Sequence, residues 1–248
     1  MARERFHVDG LYPDDDKNVV TSGGSGFGLM AILVGIERGF ITRDEAVARC
    51  TRILNFLKKA DTFHGAWSHW IFDVTGKTKP FSTKDNGADI VETAYLMQGL
   101  LTVRQYFITR SENEKLLASE IDKLWREVEW SWAPHSKYGY LLTLKHNGAE
   151  EYGGPLFWAH YSYLGLDPRN LKDKYADYWQ ENRNQTLINW KWCSLNTKKF
   201  AGYSEDCWGL TASYSIKGYA PHGPGETNDL GVISPTAALS SFPYTPEQ

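Results

Sequence analysis

Residues 26–57 read GFGLMAILVGIERGFITRDEAVARCTRILNFL, and this stretch decides the fold because it holds two helices and the turn between them. In the first helix, apolar residues recur at helical spacing on one face: Phe27, Met30, Ala31 and Val34. Gly39 ends that helix, and Thr42 with Glu45 forms a capping box that begins the next. The second helix has its own apolar stripe: Ala46, Cys50, Ile53, Leu54 and Leu57.

The rest of the chain continues the helical pattern. A third helix is predicted over residues 86–108, and a fourth begins with the capping box of Ser111 and Glu114. The apolar stripe of the fourth helix is Leu117, Ile121, Leu124 and Val128. Shorter helices are predicted over 156–166, 175–188 and 208–216, and near Thr236.

Between the helices lie long loops rich in glycine and aromatic residues. Residues 1–25 are polar and loop-like, and residues 62–84 form a loop with strand-like patches over 67–74. There is no βαβ alternation, so a parallel sheet is not expected, and no fixed-period repeat is visible. The sequence therefore predicts an all-α fold of helical hairpins with loops gathered at one end, as in an α/α toroid.

Composition excludes several classes of function. The 248 residues suit one large domain, and a net charge of −3 offers no basic face for nucleic acid or anionic membrane. The strongest apolar run, 29–36, is too short to span a bilayer. No signal-peptide pattern follows Met1, so the protein is either cytoplasmic or has lost a targeting segment. The spacing of the three cysteines fits no zinc pattern, and we predict free thiols, no metal and no cofactor.

The glycine-rich stretch GGSGFG at 23–28 invites comparison with phosphate-binding loops. It lacks the lysine of a P-loop and the preceding strand of a dinucleotide-binding unit. We predict instead that these glycines let the backbone approach a ligand or another helix closely.

Aromatic residues make up 14% of the chain, with 10 Trp and 14 Tyr. Their flat faces and polar edges suit sugars, but a large helical core could use the same residues as filler. Composition alone leaves both interpretations open.

The stretch DNGADIVET at 85–93 carries the strongest chemical signal. Asp89 and Glu92 stand three residues apart at the start of an otherwise apolar helix, so each tends to shift the pKa of the other. Such a pair can keep one carboxyl protonated and the other charged, as glycoside hydrolysis requires. Alternatively, both acids only favour the helix dipole, and Asp85 is an N-cap.

Acids, aromatics and glycines recur together where loops meet helices, in GAWSHW (65–70), in 150–161 and in YSEDCWGL (203–210). Trp67 either offers a face to a sugar or folds back as a core plug. The candidate substrate-binding residues are Trp67, His69, Trp158, His160, Glu205, Asp206 and Trp208.

At these residues the sequence resembles the bacterial glucoamylase-like family, which includes endo-β-1,2-glucanases and related β-1,2-glucan hydrolases. The matching stretches cover nearly the whole chain: 2–6, 21–41, 65–70, 86–101, 150–169, 202–213 and 235–248. The resemblance implies an (α/α)6 barrel with a glucan cleft at one end, and hydrolysis of glucan linkages with inversion.

The resemblance also assigns the acidic pair to the active site. It implies that Glu92 is the acid or base near the scissile oxygen, and that Asp89 tunes its pKa or binds a hydroxyl. Family members carry an Asn-Glu segment after the position of Lys137–Tyr140, and here that segment is absent. Residues 1–248 are thus expected to form one catalytic domain that lacks N-terminal, internal and C-terminal segments.

The expected function is hydrolysis of a neutral glucan, foremost β-1,2-glucan. The alternatives are a non-catalytic glucan-binding protein, an α-glucan glucoamylase, and a helical scaffold whose aromatics are all core. The expected partner is an oligo- or polysaccharide, with no nucleic acid and no membrane span. The resemblance further implies a monomer that is exported or periplasmic, of the kind found in Bacteroidetes.

Overall fold

The computed structural model describes residues 1–83, 85–108, 111–130, 153–174 and 176–248. The chain divides into two compact units, Met1–Lys137 and Tyr138–Gln248. Seven α-helices supply most of the regular structure in the described ranges. The predicted all-α fold is thus confirmed in part: the protein is mostly helical but also has short strands. The stretch 137–140, where the resemblance places the absent segment, lies outside the described residues.

Four helices build the first unit: α1 (Ser22–Glu37), α2 (Arg43–Leu57), α3 (Ile90–Phe107) and α4 (Glu112–Glu127). Both predicted capping boxes are confirmed, with the Thr42 side chain accepting from the Glu45 N–H and Ser111 accepting from that of Glu114. The stripes predicted for α2 and α4 face the core, as their spacing requires.

The face predicted for α1 is wrong. Val34 is 56% exposed, and the buried face carries Gly26, Leu29 and Leu33 instead. Because α1 is apolar almost all round, periodicity could not select its buried side. Glycines select it: a Cβ on Gly26 or on Gly99 would collide with the backbone of the facing helix, so α1 and α3 pack backbone to backbone.

Short antiparallel strands frame the N-terminal ends of α1 and α3. One sheet has the order β1 (Ala2–Arg3), β2 (Val19–Thr21), β5 (Trp70–Phe72) and β6 (Thr78–Lys79). A two-stranded sheet joins β3 (Thr62–Phe63) to β4 (Ala66–Trp67).

The strands of 67–74 are therefore confirmed, whereas the loop predicted for 1–25 contains two strands and a 3-10 helix, Pro13–Asn18. Val20 pairs with Ile71, and both are buried in the core of the unit. β2 runs directly into α1, which fixes where that helix begins.

The second unit contains α5 (Phe157–His160), α6 (Tyr178–Leu195) and α7 (Pro235–Ser241). Within the predicted helix 156–166, α5 is followed by a 3-10 turn, Tyr161–Tyr163. The helix near Thr236 is confirmed as α7. The helix predicted over 208–216 is wrong, since β7 (Ala212–Ser215) pairs there with β8 (Gly218–Pro221).

Helix α6 is longer than predicted and buries a polar face: Asn182, Gln185, Thr186 and Asn189. Asn189 exchanges two hydrogen bonds with the backbone of Leu210, donating to its carbonyl at 3.0 Å and accepting from its N–H at 2.9 Å. In the described ranges, every helix is too short or too polar to cross a membrane.

Candidate active site

The N-terminus of α3 is organised by Asp89, which is the N-cap residue. Its Oδ1 accepts from the N–H of Val91 at 2.9 Å and of Glu92 at 3.0 Å. The helix therefore begins at Ile90, later than predicted, and Asp85 lies before it and does not cap it. Because Oδ1 is committed to the cap, Oδ2 of Asp89 is left to face the site.

Glu92 lies one turn further along α3 and meets the first turn of α1. The Gly23 N–H donates to Oε2 of Glu92 at 3.1 Å. A Cβ on Gly23 would overlap that oxygen, so any larger residue there would displace the Glu92 carboxyl. The N-terminus of a helix also carries a partial positive charge that favours a carboxylate.

Three distant chain segments are tied together to make this arrangement. The Ser22 N–H donates to the His69 carbonyl at 3.2 Å, at the end of the β2–β5 pairing. The Asp89 N–H donates to the Trp67 carbonyl at 2.8 Å. The start of α1, the loop before β5 and the start of α3 are thus held by backbone hydrogen bonds.

His69 occupies the centre of the acidic cluster. Its Nδ1 lies 3.3 Å from Asp89 Oδ2 and 3.8 Å from Asp85 Oδ2, and its Nε2 lies 4.0 Å from Glu92 Oε1. The Phe81 ring stacks on the imidazole at 4.3 Å between ring centroids, with 19° between their planes. One histidine ring therefore joins three carboxylates beside an aromatic face.

The surroundings drive the pKa values of the carboxyls apart. Burial favours the neutral form of Asp89, but its hydrogen bonds from His69 and the helix N–H groups outweigh burial and hold its pKa below the ordinary value. Burial raises the pKa of Glu92, and the charges of Asp89 and Asp85 add to that effect, against the opposing influence of His69 and Gly23. Glu92 is thus the carboxyl biased toward protonation, and Asp89 the one biased toward charge.

Burial and neighbouring charges also shift the pKa values of Asp85 and His69. Burial raises the pKa of Asp85, and the neighbouring charge of Asp89 raises it further. Burial lowers the pKa of His69, but the hydrogen bond to Asp89 and the charges of Glu92 and Asp85 outweigh it, so the net pKa is raised. The cluster therefore favours a cationic ring among the acids.

One atom each of His69, Asp85 and Asp89 lies within 4.8 Å of the other two, close enough for a shared cation. The ring nitrogen and the Asp89 oxygen that a cation would need already face each other at 3.3 Å as an ion pair. The ion pair between His69 and Asp89 explains why these two atoms lie so close together. The expectation of no metal and no cofactor stays a prediction.

Trp67 is placed in the core. Its side chain is 2% exposed, and its Nε1–H donates to the Leu57 carbonyl at 3.1 Å. This placement corresponds to the core-plug interpretation, because no face of the ring is open to a sugar.

The aromatic rings beside the acids are those of Trp70 and Phe81. Phe81 is 43% exposed and meets Trp70 edge-on at 4.8 Å. These two rings, together with Gly23 and Asp85, are absent from the site predicted from the sequence. The position of Asp85 four residues before Asp89, and of Trp70 directly after His69, were signals that could have found two of them.

Two candidates in the second unit are buried and fully engaged. His160 is 6% exposed, and its ring nitrogens lie 3.2 Å from Thr186 Oγ1 and 3.0 Å from Ser240 Oγ. Burial lowers the pKa of His160 to about 4, so the ring is neutral at pH 7. Trp208 is buried, and its Nε1–H donates to the Gln248 carbonyl at 3.1 Å. Both side chains serve packing where they stand.

The remaining candidates of the second unit are open to solvent. Trp158 is 55% exposed, and Glu205 and Asp206 are exposed as well. The structure thus brings Asp89, Glu92 and His69 together in the first unit, and leaves three exposed candidates in the second.

The chain is similar to one family model and to several known proteins. A family model described as putative glucoamylase matches residues 116–248. The chain is 40% identical, over 332 aligned positions, to an exo beta-1,2-glucooligosaccharide sophorohydrolase (non-reducing end) of Parabacteroides distasonis. That alignment covers 99% of this chain and 46% of the relative.

Two solved structures are also similar. One is an endo-beta-1,2-glucanase from Chitinophaga pinensis in complex with sophorotriose and glucose, at 53% identity and a TM-score of 0.86. The match covers 100% of this chain and 74% of that one. The other is a putative glucoamylase from Bacteroides caccae, at 48% identity and a TM-score of 0.84, covering 99% of this chain and 74% of that one.

The chain thus spans a little under half the length of the sophorohydrolase. Because the alignment has 332 positions and this chain has 248 residues, that relative contains residues with no counterpart here.

Proposed function

The chain belongs to the putative glucoamylase family, and from that premise we propose that it is a glycoside hydrolase acting on a neutral glucan with β-1,2 linkages. The observation that carries the proposal is the acidic pair of α3. Two carboxyls three residues apart have pKa values pushed in opposite directions, which is the division of roles that acid catalysis of glycoside cleavage needs.

In this proposal Glu92 is the acid or base beside the scissile oxygen. Burial favours its protonated form, so it can donate a proton to the leaving oxygen as the glycosidic bond breaks. Asp89 stays charged, and its fixed carboxylate stabilises positive charge that develops on the sugar ring. Inversion needs a second carboxyl about 6.5–9.5 Å from the first, with room for water.

The linkage is proposed from the relatives, two of which carry β-1,2 linkages in their names. Phe81 and Trp70 supply apolar faces next to the acids, in place of Trp67. For the second unit, a sugar-binding role of the exposed side chains of Trp158, Glu205 and Asp206 stays a prediction.

The finer architecture and setting belong to the same proposal. We propose that the helices form part of an (α/α)6 barrel, as the helical hairpin of α1 and α2 and the likeness to the glucanase structure support. The protein is proposed to be a monomer that works in the periplasm or outside the cell.

Product analysis tests the function. The protein is incubated separately with linear β-1,2-, β-1,3-, β-1,4- and α-1,4-glucans, and the products are separated by chromatography. We expect short oligosaccharides from the β-1,2-glucan alone. Products only from the α-1,4-glucan would identify a glucoamylase, and would contradict the proposed linkage.

A second candidate function is non-catalytic glucan binding. It is favoured by the residues of the sophorohydrolase that have no counterpart here, among which the resemblance places a catalytic Asn-Glu segment. Binding of β-1,2-glucan measured by calorimetry, without any products after prolonged incubation, would establish this candidate in place of the hydrolase.

A further inference from the structure

His69 is the one histidine of the acidic cluster, and each of its edges faces acid. Nδ1 points to Asp89 and Asp85 at 3.3 and 3.8 Å, and Nε2 points to Glu92 at 4.0 Å. Nδ1 lies within hydrogen-bond distance of Asp89, whereas Nε2 is too far from Glu92 for a hydrogen bond and interacts with it through charge. Both edges of His69 therefore face acidic partners, and the expectation that it binds substrate stays a prediction.

We propose that His69 is the positioning residue of the acidic pair: its cationic ring holds the Asp89 carboxylate through Nδ1 and attracts the Glu92 carboxyl across 4.0 Å from Nε2, and so sets the orientation in which both meet the sugar. This inference rests on the proposed function. It assigns His69 an action through Asp89 and Glu92, with no contact to the substrate.

The backbone and ring of His69 are both restrained, as a positioning role requires. Its carbonyl accepts from the Ser22 N–H at 3.2 Å, which anchors the residue to the start of α1. Phe81 stacks almost parallel to the ring, and Trp70 lies edge-on at 5.8 Å. Rotation of the ring away from the acids would break the stack with Phe81.

The charges around the His69 ring also support a positioning role. Among the described residues, the charged groups that face His69 within ion-pair distance are Asp85, from the segment before α3, and Asp89 and Glu92 of α3. Without a cation between them, three partly buried carboxyls would repel one another. The ring therefore supplies the positive charge that allows the acids to stand this close.

Substitution of His69 tests the positioning role, because asparagine and glutamine each place an N–H donor near one of the two ring nitrogens. His69→Asn keeps a donor near the position of Nδ1, and His69→Gln keeps one near Nε2, while His69→Phe keeps neither. We expect kcat on β-1,2-glucan to fall about 100-fold in His69→Phe, as for a mis-set catalytic group, and less in the two amides. KM is expected to stay within about twofold, since no contact to substrate is lost.

The pH profile gives a readout that a purely structural role would not move. Removing a positive charge raises the pKa of neighbouring carboxyls, so both limbs of the kcat/KM profile of His69→Phe should shift to higher pH. A raised KM with unchanged kcat and an unmoved profile would show that His69 binds sugar, and would overturn the proposal. His64→Asn is the matched control, because His64 pairs with Glu129.

A measurement without substrate separates this inference from the proposed function. In NMR of ring-labelled protein, His69 should titrate above the pH of a histidine in an unfolded peptide, and Asp89→Asn and Glu92→Gln should each lower that titration. Titration at or below the peptide value would overturn the inference. If no glucan is cleaved but the titration behaves as expected, the hydrolase proposal fails, while the positioning of the acids by His69 is supported.

Discussion

At the scale of single residues, Gly23 is under the tightest steric constraint in the candidate site. Its N–H donates to Glu92, and a side chain would take the space of that carboxylate. Gly23→Ala should therefore displace Glu92 and lower kcat on β-1,2-glucan by about 10- to 100-fold, while the protein stays folded. Steady-state kinetics and circular dichroism measure the two effects.

Gly28→Ala is the control on the same helix. The nearest atom to a Cβ there is the Cβ of Ala2 at 4.0 Å, an ordinary van der Waals contact, so the added methyl fits without any shift. Alanine should leave kcat unchanged and stabilise α1 by up to about 1 kcal/mol. Equal activity in Gly23→Ala and Gly28→Ala would show that the Gly23–Glu92 contact does not shape the site.

The free energy of unfolding should depend on pH through the buried His160. Burial holds the pKa of this ring at about 4 in the folded protein, against an ordinary value of 6.5. Between these two pH values the unfolded chain binds a proton that the folded protein does not, so the free energy of unfolding should fall as pH drops from about 6.5 to about 4. The loss attributable to His160 is on the order of 3 kcal/mol.

Urea unfolding of the wild type and of His160→Gln at several pH values measures this contribution. The variant should be less stable at pH 7 and should lose less stability on acidification. Parallel pH curves for the two proteins would contradict a buried neutral His160.

At the scale of elements, α6 shows how a helix can be held by polar contacts. Asn189 exchanges two hydrogen bonds with the Leu210 backbone, and all these groups are buried. Asn189→Leu should leave the buried Leu210 N–H without a partner, whereas the Leu210 carbonyl still accepts from the Leu156 N–H at 3.0 Å. We expect a cost of about 1–3 kcal/mol in the free energy of unfolding. Chemical denaturation provides the measurement.

Asn184→Leu is the matched substitution on the opposite side of α6, where Asn184 pairs with Gln180 at 2.9 Å in an exposed contact. We expect a change of under about 0.5 kcal/mol there. Similar losses in the two variants would mean that α6 is not anchored by Asn189.

The elements that the sequence predicted well are those with local signals. The capping boxes at Thr42 and Ser111 locate α2 and α4, because a cap acts within one helical turn. The extension of α6 to Leu195 was missed because its buried face is polar, and apolar periodicity cannot detect such a face. The predicted helix over 208–216 is wrong at Ala212–Ser215. That segment forms a strand because it pairs with its hairpin partner, Gly218–Pro221, and periodicity within the segment does not reveal this pairing.

At the scale of the whole molecule, the candidate site could be predicted only in part. Asp89 and Glu92 stand out because their spacing of three places them on one side of the predicted helix. The approach of Gly23 and His69 depends on the pairing of β2 with β5, which joins segments about fifty residues apart. Spacing along the chain does not reveal that pairing, so Gly23 and Phe81 could not be selected from the sequence.

Turnover of linear β-1,2-glucan by Glu92→Gln, with glucan binding measured by calorimetry on the same preparation, tests most directly whether the acids of α3 perform the chemistry. Glutamine keeps the acceptor for the Gly23 N–H but cannot give up a proton. We predict a fall in kcat of about 10²- to 10⁴-fold, with glucan affinity and the unfolding transition close to those of the wild type, and no such fall in Glu112→Gln on α4. Wild-type turnover by Glu92→Gln would contradict the account.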